Sequence, residues 1–184
     1  MIINHKLIVS ALAALFISAG AASAQTIVKA DSVRVYFEYN KSEFNPSYKG
    51  NGASMDKLVR EVRVHDSAPE YIIINSSSSP EGPADGNARL TRRRQESMLQ
   101  YLSGQVDIKG IPVHKTESAT DWERMKRLVF WDVAMPIKYK TQVMEKLNGE
   151  DPSSVNELFN SSAWEYLMKN IFPNMRCSEI VFVW

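Results

Sequence analysis

In this 184-residue chain, Arg94 has a type and a position that together demand chemistry. The stretch from Tyr71 to Leu102 reads as a buried strand, a Ser/Pro/Gly loop and an amphipathic helix. At about 100° per residue, Leu90, Ser97, Met98, Tyr101 and Leu102 share one helical face with Asn87 and Arg94. Arg92 and Arg93 point away from it. A guanidinium aimed inward must meet an anion or several acceptors, because an unpaired buried charge is strongly destabilising. Two outcomes fit this spacing. Arg94 is either a structural arginine bonded to loop carbonyls or to a carboxylate of its own domain, or part of a small anion or zwitterion site. Such a site would sit where the loop meets the helix N-terminus, whose free N–H groups and dipole already favour negative charge. Asp85 or Asn87 is expected to cap that helix, and Pro80 and Pro83 to stiffen its approach.

Other chemistries lack their residues. His65 and His114 are far apart in sequence and stand beside neither cysteine nor a carboxylate pair at metal spacing. There is no Gly-x-Ser-x-Gly elbow and no Gly-rich phosphate loop. The run Ser76 to Ser79 has no visible base and is expected to be a flexible polar turn. The chain therefore reads as non-enzymatic, with no cofactor and no metal site.

The residues around Arg94 resemble the OmpA-like peptidoglycan-binding domain family of bacterial envelope proteins. The family's loop and helix pattern is matched by Ser76-Ser-Ser-Ser-Pro-Glu-Gly82 followed by Asn87-x-x-Leu90-Thr91-x-x-Arg94. Upstream, Val33 to Asn40 with Phe44-Asn-Pro46 is similar to the family's first strand and helix entry, and Pro173 to Trp184 to its arginine-containing turn and final strand. The resemblance implies an α+β fold: a βαβαβ-type sandwich of a small mixed sheet packed on helices, with a helical insertion before the last strand. It implies a site at Arg94, Asn87, Ser77, Ser78, Ser79 and Thr91, with the diaminopimelate residue of a peptidoglycan stem peptide as ligand. The family holds that amino-acid head group between an aspartate and an arginine. The arginine is Arg94, but the aspartate's position is Ser79, which brings no charge; Glu81 and Asp85 are the nearby acids. The segment of about 118–172 is longer than the family's usual connection and resembles the enlarged domains of bacteroidete-type envelope proteins. Two roles are thus implied: binding cell-wall peptidoglycan, or serving as a structural or assembly partner of another envelope protein.

The elements that must position these residues follow from periodicity. Ser32 to Tyr39 alternates apolar and polar positions, as a half-buried strand does. Met55, Leu58, Val59 and Val62 recur at helical spacing after the Gly50-Asn-Gly52 loop. Tyr71 to Ile74 has three isoleucines, which predicts a central strand buried on both faces. The resulting βαβ unit predicts direct parallel pairing of the first two strands. A third strand is expected over Ile111 to Lys115, then helices over Asp121–Trp131, Ile137–Leu147 and Ser162–Phe172, a polar loop over Asn148–Ser154 and breaks at Pro136 and Pro173. Trp122, Leu128, Val129, Trp164, Leu167, Met168 and Ile171 are expected to form the seams of a helical layer, and Trp122 and Trp131 to be packed. Cys177 is expected to be buried at the start of the final strand.

Lys6, the apolar run Leu7 to Ala22 and Ala22-Ser23-Ala24 before Gln25 read as a cleaved secretory signal over residues 1–24. The run is short for spanning a bilayer, so no transmembrane segment is expected after cleavage. With Cys177 as the first cysteine, no lipoprotein box follows the apolar run. Residues 25–184 are expected to form one domain in the periplasm or against the outer membrane. Losing Lys6 leaves 21 basic against 21 acidic side chains. That balance gives no reason to expect nucleic acid or an anionic membrane as partner.

Overall fold

A computed structural model describes residues 30–184, and the expected secretory signal lies outside the described residues. The fold is α+β, with a four-stranded mixed sheet and six α-helices in the order β1 (Ala30–Tyr36), α1 (Asn51–Arg63), β2 (Tyr71–Ser77), α2 (Ala84–Ser103), β3 (Val113–Ser118), α3 (Trp122–Trp131), α4 (Ile137–Leu147), α5 (Ser162–Tyr166), α6 (Phe172–Met175) and β4 (Cys177–Val183). The helical segment before the last strand is present, as expected.

Strand order is β1-β4-β2-β3. Here the reading of direct β1–β2 pairing is corrected. β4 lies between them and pairs antiparallel with both, Val33 and Ile74 each facing Ile180. The α2 crossover does join a parallel pair, β2 and β3. β1 and β2 still run the same way, but the apolar alternation of β4 makes it the better inner strand, buried at Ile180 and Phe182. β2 is central as expected, yet its burial alternates: Ile72 and Ile74 are buried and Ile73 is only half-buried. A period of two with one wetter face explains why three isoleucines did not mean two dry faces.

α1 and α2 bury their apolar stripes in a first core with this sheet, built on Val35, Phe37, Met55, Leu58, Ile72, Ile74, Met98, Leu102, Ile180 and Phe182. The buried Asn51 at the start of α1 ties that core to the loop before it. Its amide donates to the carbonyls of Tyr36 (2.8 Å) and Asn45 (2.9 Å) and accepts from the Tyr36 N–H at 2.8 Å. The preceding turn is left-handed at Gly50 (φ 75°), a conformation that favours glycine.

The helical segment before β4 makes a second core around Met125, Val129, Val143, Leu147, Val155, Trp164, Leu167, Ile171 and Phe172. Both cores are built from described residues. Asp121 caps α3, accepting from the Arg124 N–H at 2.9 Å. The polar loop after α4 winds into a 3-10 turn over Pro152–Leu158. Pro173 does not end the helix at Phe172. A π-helical segment over Leu167–Ile171 widens the turn, and the proline sits in the first turn of α6, where its missing N–H costs least. Two residues expected to be packed are not: Trp131 is exposed and Met168 borders on exposure. Both lie at the margin of their helices' buried stripes. Trp122 and Leu128 pack against the second core as partly buried residues.

Candidate functional site

The core face of the sheet turns polar at one end. Strand alternation puts Ile74, Ser76 and Ser78 on the face that also holds Ile180, Ser178 and Arg176. All four serines from Ser76 to Ser79 are buried, the first three with bonded hydroxyls and Ser79 through its carbonyl, so the expected flexible turn is corrected: β2 carries the chain inward through Ser77. Ser76 and Ser178 share a 2.6 Å hydrogen bond between hydroxyls, and Ser77 Oγ donates to the Met175 carbonyl at 2.8 Å. Hydroxyls paired in this way can line a buried strand end without leaving orphaned groups.

Arg94 lies above this polar end, fully buried. Its Nε donates to the Lys41 carbonyl at 3.0 Å, and Nη1 donates to the Ser77 carbonyl at 3.1 Å and to Ser78 Oγ at 3.0 Å. The Phe37 ring lies 4.9 Å from the guanidinium carbon. Lys41 offers its carbonyl because Asn40 takes the left-handed conformation (φ 54°) that asparagine tolerates. Nη2 has no hydrogen-bond partner, and no described acid is paired with Arg94. Burial is the largest cause, and the nearby Arg176 the next, pushing the Arg94 pKa down to about 10.

Arg94 lines a cleft of about 330 Å³ with Ser78, Ser79, Asn87, Glu81 and Arg176, and Arg89 and Arg93 also line it. Glu81 is the acid that turns inward. It accepts from Arg176 Nη1 at 2.9 Å, and both side chains are only 7% exposed. Arg176 Nε, like Arg94 Nη2, is a buried donor without a partner. Among the described lining residues, four arginines therefore face one carboxylate that is already committed. The cleft is electropositive and equipped to take an anion.

Of the residues singled out in the sequence, Arg94, Asn87, Ser78 and Ser79 line this cleft. Ser77 gives Arg94 its backbone carbonyl but turns its hydroxyl to Met175. Thr91 stands behind Ser78, 3.2 Å between hydroxyl oxygens, and is fully buried. Neither Asp85 nor Asn87 caps α2; the position before the helix is Pro83, with no side-chain cap. Asn87 instead donates back to the carbonyls of Ser79 (2.9 Å) and Gly82 (3.3 Å), stapling the loop to the helix. A Cβ at Gly82 would lie 3.0 Å from Asn87 Oδ1, so a larger residue there would press on this staple. Arg176 was missed as a site residue, although the alternation of the final strand, extended one step back, places it on the face of Ser178 and Ile180. His65 and His114 lie apart, one stacked on Trp184 at 3.7 Å and the other edge-on to Tyr71.

No family model matches the chain, and no curated protein matches it. Among solved structures it is similar to the OmpA-like domain of FopA1 from Francisella tularensis subsp. tularensis SCHU S4. The likeness is 12% identity over 88% of this chain and 77% of that one, with a TM-score of 0.41. A likeness of that degree carries no argument about family or activity.

Proposed function

We propose that this chain is a non-enzymatic, exported envelope protein whose cleft holds the carboxylate end of a peptidoglycan stem peptide. Residues 1–24 would be removed on export, leaving residues 25–184 as one domain in the periplasm or against the outer membrane. The observation that carries the reading is Arg94: fully buried, lining a cleft, with Nη2 unbonded and no paired acid among the described residues. Nη2 is itself sealed from solvent, so a carboxylate that displaces the cleft wall would satisfy the orphaned donor and neutralise a charge left without a described acid. Asn87 holds the loop in place, Ser78 fixes the guanidinium, and Ser79 stands in the wall as a neutral group.

Arg176 already neutralises Glu81, so the ligand is recognised by its anion and not by a paired ammonium. The role of a purely structural or assembly partner would fit an Arg94 satisfied by loop carbonyls or sealed by the protein's own acids. The Lys41 and Ser77 carbonyls and Ser78 take Nε and Nη1, and Nη2 is the donor left over. The lining acid, Glu81, is spent on Arg176 instead. Retention on purified sacculi, compared between wild type and Arg94→Met, tests the reading. Wild type should be retained and the variant released; equal retention of a folded variant would remove the site.

A further inference from the structure

The corner between α3 and α4 exposes large apolar side chains that the cleft does not use. Phe130 is 58% exposed, Trp131 74%, Val133 96% and Ile137 77%. They fall within eight consecutive residues at one helix–helix corner, and the Phe130 and Trp131 rings meet edge to face at 5.0 Å. The second core forms on the opposite faces of these helices, through Met125, Val129, Val143 and Leu147. The four side chains thus stand exposed with no described neighbour to cover them, and Trp131 also lines a cleft with Arg127, Leu128 and Ile171.

Its surroundings are basic. Residues 122–142 hold five basic side chains against two acids, Glu123 and Asp132. Of the five, Arg124 is buried and donates to the Asn174 carbonyl and Lys126 pairs with Glu123, while Arg127, Lys138 and Lys140 have no described ion pair. Both acids are engaged: Glu123 with Lys126 at 3.0 Å, and Asp132 with the Tyr166 hydroxyl at 3.0 Å and the Ala134 N–H at 2.9 Å. Lys140 Nζ donates to the Phe130 carbonyl at 3.0 Å, which keeps that charge at the base of the apolar tip. The balanced charge of the whole chain therefore hides a local excess on this corner.

We propose that the α3–α4 corner is a membrane-docking knuckle. Trp131, Phe130, Val133 and Ile137 would enter the interfacial zone of a bilayer while Arg127, Lys138 and Lys140 meet anionic phospholipid headgroups. An exposed aromatic and aliphatic corner beside a local excess of cations complements such a surface in charge and chemistry. Aromatic side chains favour the headgroup boundary, and each basic residue near an anionic leaflet contributes about a five-fold gain in partitioning. This surface is independent of the Arg94 cleft.

The test is co-sedimentation of the chain from Gln25 with vesicles of phosphatidylcholine alone or with phosphatidylglycerol added. Wild type should bind the phosphatidylglycerol vesicles, and brominated acyl chains should quench a fraction of tryptophan emission that Trp131→Phe removes. Replacing Trp131, Val133 and Ile137 by serine should cut binding at least ten-fold with thermal unfolding unchanged, since all three are exposed. Arg127→Gln with Lys138→Gln should cut it about twenty-five-fold. Failure of wild type to bind either vesicle would overturn the proposal and assign the corner to a protein partner. Binding that ignores both sets of substitutions would overturn it equally.

Discussion

Replacing Arg94 by methionine separates a ligand-binding arginine from a structural one. Methionine keeps the unbranched stem and removes the charge. Burial, with Arg176 next, lowers the Arg94 pKa well below the ordinary guanidinium range to about 10, a cost of about 3 kcal/mol for keeping the cation there. Against this stand three hydrogen bonds, to the Lys41 and Ser77 carbonyls and to Ser78 Oγ. Of these acceptors, Ser78 Oγ keeps Thr91 as a partner at 3.2 Å, so part of the loss is made good. Hydrogen bonds from a charged donor contribute about 1.5–3 kcal/mol each before such compensation. With Ser78 compensated, the two remaining bonds contribute about 3–6 kcal/mol and equal or outweigh the burial cost. Arg94→Met should therefore destabilise the fold by no more than about 3 kcal/mol, read from urea denaturation. It should also abolish retention on sacculi. A fixed structural charge pair broken at one partner would instead lose about 3–5 kcal/mol. A loss of that size with sacculus binding intact in the surviving folded protein would refute the reasoning. The pH dependence gives a second check. The folded pKa is depressed, so above about pH 10 the folded protein has released a proton that the unfolded chain still holds. Stability of wild type relative to Arg94→Met should then rise with pH, and the cost should be fully present below pH 10.

Glu81→Gln removes the carboxylate from a buried pair with Arg176 and should cost about 3–5 kcal/mol in denaturant unfolding. Ser79→Asp places an acid in the cleft wall, and isothermal titration should show diaminopimelate gaining on pimelate, its analogue without amines; an unchanged ratio would place Ser79 out of the ligand's reach. Asn51→Ala breaks three hydrogen bonds joining β1, the following loop and α1, and should lower stability by about 2–3 kcal/mol. Phe172→Ala in the second core should cost about 3–5 kcal/mol, measured by urea unfolding, while sacculus retention of the folded fraction stays at the wild-type level.

The errors of sequence reading share one cause. Periodicity reports which residues face inward on an element, and it placed Arg94, Met98 and Leu102 on the buried face of α2 and Met55, Leu58 and Val59 on that of α1. It is silent about which element arrives next to which. The β1–β2 pairing failed because the last strand, distant in sequence, slots between them. The serine run looked like a loop because its partners, Ser178, Met175 and Thr91, are about thirteen to a hundred residues away. Pro173 looked like a break because a compensating π turn is not written in local composition.

By itself the sequence determined the burial of Cys177 and the inward aim of one guanidinium, because both depend on patterns within a single element, while the α+β class and the helical segment before the last strand came from the family resemblance. Only tertiary structure decided what that guanidinium meets. Arg176 approaches through β4, Glu81 swings in from the loop, and their pairing consumes the acid that could have sealed Arg94. Charge compensation in a buried site depends on distances of a few ångströms between remote segments, and spacing along a chain does not encode them.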